Sequence, residues 1–358
     1  MIRVVIADDS RVARDVLRSI LERADDIEIV GEAVDGRDAV DKVRELAPHV
    51  VTMDLNMPRM DGIAAIEEIM YSRARPILVV SDRSDAESAY RALEVGALDV
   101  ITKPELEGEA ADAFLYKVRL LAGVSVITRL RRYCWPPASR PTDTGLPAAP
   151  EQSASSPSPF SCIFAIACST GGPQALARLL SQLNTPFPAP ILIAQHISHG
   201  FIDGMAQWLA TRCRLPVRVA RHNEALQAGC VYLAPSEYNL SVTLHHRLQL
   251  SPSPPGTIYH PSGDVLLASV AEVYTHHAIG IIMTGMGRDG VLGMSAIHRR
   301  GGVTLAQDEA SSVIYGMNQE AVNAGVIQQI LPLDELAAAM DRQALRRKPA
   351  GMAPGSRS

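Results

Sequence analysis

The chain has few aromatic residues and no excess of positive charge. Phe, Trp and Tyr make up only 4% of the 358 residues, and the formal net charge is −5. Proteins that bind single-stranded nucleic acid usually offer aromatic side chains for stacking, and nucleic-acid-binding domains usually carry a basic surface. The composition therefore argues against a nucleic-acid partner.

Cysteine is also scarce. The five cysteines are Cys134, Cys162, Cys168, Cys213 and Cys230. Their number is odd and no two are spaced as C-x-x-C, so the sequence predicts neither a disulfide framework nor a cysteine zinc site. This pattern fits a reducing cytosol.

Long hydrophobic runs are missing as well. No apolar stretch approaches the ~20 residues needed to span a bilayer. The N-terminal residues 1–8 lead directly into a strand pattern and do not resemble a signal peptide. We therefore expect a cytoplasmic protein that is not inserted in a membrane. The chain is long enough for two or three domains, and its 47% hydrophobic content supplies ample core.

Residues 1–122 alternate short apolar segments with amphipathic ones, such as Val12–Leu21 and Ala39–Leu46. Such β/α alternation predicts a parallel, doubly wound α/β sheet with helices on both faces. The five predicted strands are Arg3–Ala7, Glu28–Val30, Val50–Met53, Ile77–Val80 and Val100–Thr102.

Polar side chains stand at the carboxyl ends of these strands, where parallel sheets hold their sites. They are Asp8, Asp9, Asp54, Ser81 and Lys103. Crowded carboxylates favour a hard cation such as Mg²⁺, while a lysine and a hydroxyl bind phosphoryl oxygens. The set indicates phosphoryl transfer to an aspartate.

This region resembles the receiver domain of two-component response regulators, a flavodoxin-like fold. The matching segments are residues 7–10, 53–62 and 102–104. The resemblance implies that Asp54 accepts the phosphoryl group from a chemotaxis-type histidine kinase, and that Ser81 and Lys103 contact this group. Asp8, Asp9, Asp54 and the backbone carbonyl of Asn56 would hold Mg²⁺. The sequence departs from the family at Val100, where Tyr or Phe is usual.

The end of this region loses its periodicity. Residues 120–132 favour an extension of the last helix, and 123–160 are rich in Pro and Ser, which predicts a flexible linker. We also expect a disordered tail at 346–358.

A second β/α pattern occupies residues 161–345. Its first apolar segment ends at the turn Ser169-Thr170-Gly171-Gly172, and Pro173 suits the first turn of the helix that follows. The predicted strands are Ser161–Ala167, Ile191–Ala194, Val217–Ala220, Cys230–Ala234, Leu240–Leu244, Arg247–Leu250, Ala278–Met283 and Val303–Ala306, the last as the final central strand. Helices are predicted at Phe201–Leu209, Asp264–Tyr274 and Leu333–Leu345.

Three reactive side chains follow strands of this second region. Ser169 would attack a carbonyl, His196 would move its proton, and Asp289 would orient the imidazole. The order Ser…His…Asp differs from that of the α/β-hydrolases. The Met286 N–H is a candidate donor to an oxyanion.

Two other interpretations remain open from the residues alone. The glycine turns at 169–172 and 284–290 would also suit a nucleotide phosphate, although no G-x-G-x-x-G or P-loop pattern is present. His196 and His199 would form half of a metal site, but no third ligand has useful spacing.

Residues 161–345 resemble the catalytic domain of the chemotaxis protein-glutamate methylesterases, the CheB family. The matching segments are 169–172, 195–196, 229–235, 261–264, 284–290, 306–309 and 315–317. The resemblance implies a mainly parallel, doubly wound α/β domain with a triad of Ser169, His196 and Asp289, and with Thr170 and Met286 beside it. The departures are Ala167-Cys168 for Gly-Ala, Gly263 for Val, and Asn318 for Pro.

The two resemblances together imply a phosphorylation-activated serine hydrolase. It would hydrolyse glutamate methyl esters on chemoreceptors, deamidate receptor glutamines, and serve chemotactic adaptation. We expect no cofactor in the catalytic domain and a monomeric protein. The alternative is a phospho-regulated binding protein of a chemosensory pathway that has no catalytic activity.

Overall fold

The computed structural model describes residues 1–82, 85–126, 160–253 and 260–346. These residues form two compact units. The first contains the described residues before position 127, together with Ile197–Trp208. The second contains 160–196 and the described residues from Leu209 onward. The predicted linker at 123–160 and the tail at 346–358 lie almost entirely outside the described residues.

The first unit is built on a parallel sheet of strand order β2-β1-β3-β4-β5. Its strands are β1 (Ile2–Ala7), β2 (Ile27–Ala33), β3 (Val50–Met53), β4 (Ile77–Ser81) and β5 (Asp99–Thr102). Its helices are α1 (Arg11–Leu21), α2 (Gly36–Leu46), α3 (Gly62–Ser72), α4 (Ala86–Val95) and α5 (Glu109–Ala122). This confirms the predicted five-stranded receiver fold.

Local sequence explains where several of these helices begin. Asp35 and Asp61 precede α2 and α3, and each side chain accepts a hydrogen bond from a backbone N–H of the first turn. Buried apolar residues of α1 and α5, among them Ile20 and Phe114, pack against the strands. These helices therefore hold the strand ends, and the polar residues on them, in fixed positions.

The second unit has a seven-stranded parallel sheet of order β14-β13-β12-β6-β7-β9-β8. Its strands are β6 (Ile163–Cys168), β7 (Ile191–Gln195), β8 (Val217–Val219), β9 (Val231–Leu233), β12 (Ala278–Ile282), β13 (Val303–Gln307) and β14 (Gln329–Leu331). An antiparallel hairpin is formed by β10 (Tyr238–Val242) and β11 (Leu248–Pro252). The predicted mainly parallel fold is confirmed.

The next helices along the chain are α6 (Gly172–Ser181), α7 (Ile202–Ala210), α8 (Gly263–Tyr274), α9 (Val291–Arg299), α10 (Met317–Asn323) and α11 (Leu333–Arg346). Helices α6 to α10 lie between these strands in the sequence and α11 follows β14, with residues 202–208 of α7 assigned to the first unit. Strand β6 lies between β7 and β12. The carboxyl ends of these three strands therefore meet at the point where the chain reverses direction across the sheet, which is where open α/β sheets hold their sites.

One expectation was wrong in detail, and three elements were not predicted. Helix α5 ends at Ala122, and Gly123 caps it, so the helix does not continue through the described residues 124–126 toward Arg132. Strand β14, which lies beside Val303–Gln307 at the sheet edge, was missed because it is only three residues long and largely exposed. Helices α9 and α10 were also missed, since the glycines before each of them obscure the apolar periodicity.

Two further observations bear on the compositional expectations. None of the helices in the described ranges is long and apolar enough to cross a membrane. The cysteines within those ranges, Cys162, Cys168, Cys213 and Cys230, are all buried free thiols.

Candidate active site and phosphorylation site

Ser169 lies on the turn that joins β6 to α6. It is 9% exposed, and Pro173 stands in the first turn of the helix as predicted. The Ser169 N–H donates to the carbonyl of Thr284 at 2.9 Å. This backbone bond is significant because it leaves the Ser169 N–H unable to stabilise an oxyanion without breaking it. An oxyanion formed beside Ser169 would need other donors.

His196 follows β7 and faces Asp289. Its Nε2 atom lies 2.7 Å from Asp289 Oδ2, and both side chains are largely buried. Because Nε2 is directed at the carboxylate, any proton exchange with a substrate or nucleophile would use Nδ1. The sequence pattern had placed these two residues at strand ends, but it gave no information on which nitrogen has which role.

The carboxylate of Asp289 is held at the N-terminus of α8. Oδ1 accepts from Ser262 Oγ at 2.9 Å and from the Asp264 N–H at 3.0 Å, and Oδ2 accepts from the Gly263 N–H at 2.5 Å. Burial alone would raise the pKa of Asp289. The hydrogen bond and charge of His196, together with these backbone N–H donors, instead lower that pKa below its ordinary value. Asp289 is therefore an ionised partner for the imidazole.

Each of the two helices beside the site has its N-terminal N–H groups bound by a carboxylate that belongs to, or directly precedes, the other helix. Asp289 precedes α9 and binds the N-terminus of α8, whereas Asp264 lies in the first turn of α8 and accepts from the Gly293 N–H of α9 at 2.8 Å. Gly290, which caps α9, supplies no side-chain bond of its own. Residues 261–264 match the family, but no role for them was predicted from the sequence. The Ser before an apolar segment, with Asp in the first turn, was the available signal of a helix start.

Thr284 connects Ser169 to the neighbouring loops. Its Oγ1 donates to the Thr170 carbonyl at 2.9 Å and accepts from the Ile314 N–H at 3.0 Å. Its backbone N–H donates to Gln307 Oε1 at 3.0 Å. Thr284 is fully buried. These bonds fix the backbone of Thr170 next to the loop that carries Met286, whose side chain is 39% exposed.

A separate cluster of polar residues stands at the carboxyl edge of the first sheet. One carboxylate oxygen each from Asp8, Asp9 and Asp54 lies within 4.8 Å of the others. Lys103 Nζ lies 2.9 Å from Asp8 Oδ2 and 3.2 Å from Asp54 Oδ1. Among the described residues, this is the one group of three or more His, Cys, Asp or Glu side chains close enough together to hold a metal ion. It does not include His196 or His199.

The electrostatics of this cluster favour a bound cation. Burial raises the pKa of Asp54 to about 6, with Asp8 adding to the effect and Lys103 opposing it. A carboxylate that is costly to ionise in place is stabilised by added positive charge. Ser81 is fully buried and its hydroxyl donates to Asp85 at 3.1 Å, while Asn56 is exposed. Val100 is buried within β5.

Both units of the chain match known protein families. Residues 164–340 match the family model described as CheB methylesterase, and residues 4–114 match that of the response regulator receiver domain. The chain is 51% identical over 340 residues to protein-glutamate methylesterase/protein-glutamine glutaminase 3 of Paramagnetospirillum magneticum, covering 95% of both chains. This chain belongs to that family.

Other relatives extend the comparison. Protein-glutamate methylesterase/protein-glutamine glutaminase 2 of Anaeromyxobacter dehalogenans is 41% identical, with coverage of 95% of this chain and 96% of the relative. The crystal structure of the Thermotoga maritima CheB methylesterase catalytic domain is 31% identical, covers 51% of this chain and 97% of that chain, and has a TM-score of 0.49.

Two departures of this family member lie against each other beside the site. A Cβ placed on Gly263 would lie 2.7 Å from the Ala167 Cβ and 3.2 Å from Asp289 Oδ2. The space between the end of β6 and the start of α8 therefore accommodates one of these two methyl groups. A third departure, Asn318, is buried and donates to the Gln307 carbonyl at 2.7 Å.

Replacing Gly263 with alanine is expected to lower the free energy of unfolding by about 1–3 kcal/mol through overpacking. Ala167→Gly in the same chain removes the opposing methyl group, so the double variant should recover most of the loss. A double-mutant cycle by thermal unfolding of the full chain measures this coupling. If the losses in unfolding free energy of the two single variants add up in the double variant, the two methyl groups do not compete for the same space.

Proposed function

We propose that this protein is a phosphorylation-activated protein-glutamate methylesterase and protein-glutamine glutaminase. The observation that carries the proposal is the 2.7 Å contact between His196 Nε2 and a buried Asp289 carboxylate, on the same sheet edge as Ser169. A histidine oriented by a carboxylate beside a hydroxyl on a strand-to-helix turn is the arrangement that acyl transfer needs. The substrate is a glutamate γ-methyl ester on a chemoreceptor.

The acylation step uses the geometry as follows. Ser169 Oγ attacks the γ-carbonyl carbon of the ester as its proton passes to His196 Nδ1. The tetrahedral intermediate collapses when His196 returns this proton to the methoxy oxygen, so that the C–O bond breaks and methanol leaves. Asp289 holds the ring through Nε2–H and stabilises the imidazolium. The product of this step is a glutamyl ester of Ser169.

Deacylation reverses these roles with water. His196 Nδ1 takes a proton from water, which attacks the acyl carbon, and then returns it to Ser169 Oγ to give the free glutamate. A glutamine side chain passes through the same acyl-Ser169 intermediate with ammonia as the leaving group, which accounts for the second activity. Neither reaction needs a cofactor in this domain.

Backbone N–H groups near Thr170 and Met286 are the proposed oxyanion donors. Ser169 already donates its own N–H to Thr284, and the carbonyl of Thr170 is bound by Thr284 Oγ1. These bonds fix the backbone of Ser169 and Thr170 against Thr284, which lies two residues before Met286. A preorganised donor of this kind contributes roughly 2.7–4 kcal/mol to the transition state.

Control of the activity is assigned to Asp54. Its carboxylate would accept a phosphoryl group from a chemotaxis-type histidine kinase, with Lys103 and Ser81 contacting the phosphoryl oxygens. The donor set of Asp8, Asp9 and Asp54, with the backbone carbonyl of Asn56, fits Mg²⁺, which prefers oxygen ligands. Bound there, the ion would neutralise charge between the phosphodonor and the carboxylate.

The remaining assignments complete the proposal. Residues 1–122 form the receiver domain, 123–160 a linker, 161–345 the catalytic domain and 346–358 a tail. The protein acts as a monomer in the cytoplasm, on the receptor segments that face that compartment. Removal of the methyl groups restores glutamate carboxylates and thereby produces adaptation.

Asp54→Asn is expected to abolish the rise in hydrolysis rate that acetyl phosphate and Mg²⁺ produce in the wild type. The amide has the shape of the carboxylate but cannot form an acyl phosphate. Methanol release from methylated receptor membranes measures the effect. Asp41→Asn, an exposed change on α2, is the matched control and should keep the full stimulation. Stimulation of Asp54→Asn equal to that of the wild type would contradict the assignment.

The function itself is tested by incubating the full chain with receptors that carry isotopically labelled methyl esters. Release of labelled methanol, lost in both Ser169→Ala and His196→Ala chains that remain folded, supports the esterase. Receptor binding without methanol release would favour the alternative, a phospho-regulated binding protein.

A further inference from the structure

We infer that Gln195, oriented by the Cys168 thiol, is a positioning residue for both the nucleophile and the base. This inference rests on the proposed ester hydrolysis. Gln195 is the last residue of β7 and is 3% exposed. Its Nε2 atom donates to the carbonyl of Ser169 and to the carbonyl of His196, each at 2.8 Å. One amide nitrogen therefore binds the backbones of two residues of the triad.

The position of Gln195 in the sheet explains why a side chain is needed there. Strands β6 and β7 pair up to Cys168 and Gln195, and the His196 N–H donates to the Cys168 carbonyl at 3.0 Å. Beyond this pair of residues the two strands end, and the backbone continues into α6 on one side and into the segment before α7 on the other. The Gln195 amide continues the cross-link one residue further, at the point where Ser169 and His196 leave the sheet.

The surroundings fix which way the amide points. The two carbonyls accept hydrogen bonds only, so the NH₂ group must face them. Oε1 then faces Cys168 Sγ at 3.1 Å. Burial raises the pKa of the Cys168 thiol well above its ordinary value, so the thiol keeps the proton that it donates to Oε1. Cys168 thus supports the amide and is not a second nucleophile.

Helix α6 packs directly on this amide. A Cβ placed on Gly172 would lie 1.9 Å from Gln195 Oε1. The Gly172 N–H also donates to the Ser169 carbonyl at 2.7 Å. Glycine at 172 therefore lets the nucleophile turn close onto Gln195, and the amide, the turn and the helix start form one rigid group.

The role of Gln195 predicts a loss in kcat with little change in KM. Without the two donated bonds, the carbonyls of Ser169 and His196 each lose a hydrogen bond, and the two backbones shift relative to each other. A displacement of about 1 Å between reacting groups costs on the order of 100-fold in rate. Substrate binding uses other groups and should be retained.

The test compares Gln195→Met and Gln195→Glu with the wild type and with Gln328→Met. Gln328 donates to the Gly302 carbonyl beside β13 and accepts from Thr304, so it is an amide with similar bonds away from the triad. We expect kcat for methyl ester hydrolysis to fall at least tenfold in both Gln195 variants, with KM within twofold, and to stay within twofold in Gln328→Met. Methionine keeps the volume of the Gln195 side chain and glutamate keeps its shape, but neither donates the two hydrogen bonds. If Gln195 only filled space, at least one of these variants would keep the wild-type kcat.

The outcomes separate this inference from the function on which it rests. A wild type that releases no methanol fails the proposed function. An active wild type with kcat unchanged in Gln195→Met, or with a loss confined to KM, overturns the inference alone. If circular dichroism shows that Gln195→Met is unfolded, Gln195→Glu decides. It keeps the shape of the side chain and replaces the NH₂ donor with an oxygen, so a loss of at least tenfold in kcat is expected, and an unchanged kcat would contradict the role.

Discussion

Replacing Ser169 with alanine is expected to lower kcat for methyl ester hydrolysis by about 10⁴-fold or more, the scale seen when a serine nucleophile is removed. The alanine chain keeps the backbone bond to Thr284 and the carbonyl bond to Gln195, since neither uses the hydroxyl. Folding and receptor binding should therefore be unchanged. Methanol release under conditions of full phosphorylation measures the loss.

The matched control for this change is Ser181→Ala. Ser181 stands at the opposite end of the same helix, where its hydroxyl donates to the Arg178 carbonyl. It should keep the wild-type rate. A Ser169→Ala protein that demethylates receptors at a rate within tenfold of the wild type would remove Ser169 from the chemistry.

Asp289→Asn should have the second largest effect, a loss of about 10³–10⁴-fold in kcat. Both carboxylate oxygens accept backbone N–H bonds, Oδ1 from Asp264 and Oδ2 from Gly263. The NH₂ group of asparagine must replace one of these acceptors, so in either orientation it opposes a backbone donor. If it faces His196, it also requires Nε2 to accept a bond, which moves the ring proton to Nδ1 and prevents that nitrogen from taking a proton from Ser169.

The comparison for Asp289→Asn is Ser262→Ala. This change removes the hydroxyl donor to Oδ1 and keeps the charge, the backbone donors and the contact with His196. We expect a loss of less than about tenfold from it, consistent with one hydrogen bond of about 1 kcal/mol. Steady-state kinetics of both variants, with thermal unfolding as a check on folding, give the result. Equal losses would mean that the charge of Asp289 is not what the reaction uses.

The fold was largely predictable because it depends on apolar periodicity. Predicted and observed strands agree within a few residues in both units, since buried parallel strands such as β3 and β12 are nearly continuous apolar segments. Strand β14 has no such pattern, and Leu292, the second residue of α9, is 73% exposed. Elements at the sheet edge or with an interrupted apolar face carry too little signal.

The candidate site was predictable in part for a related reason. Strand ends are readable from the sequence, and they supply Ser169, His196, Asp54 and Lys103. The residues that hold them come from loops that the topology brings together. Ser262 is 27 positions from Asp289, and no local pattern connects the two. Gln195 was recognised only as part of the matching segment 195–196. Its hydrogen bonds to the carbonyls of Ser169 and His196 produce no periodic pattern in the sequence.

The central claim is that ester hydrolysis proceeds through the Ser169 hydroxyl. A fluorophosphonate titration of the phosphorylated full chain tests it most directly, with the remaining methanol-release rate plotted against the fraction of Ser169 that mass spectrometry finds modified. We predict a straight line that reaches zero activity at one label per chain, with methylated receptor slowing the labelling. Activity that persists when Ser169 is fully modified, or that falls with label on another residue, would contradict the claim.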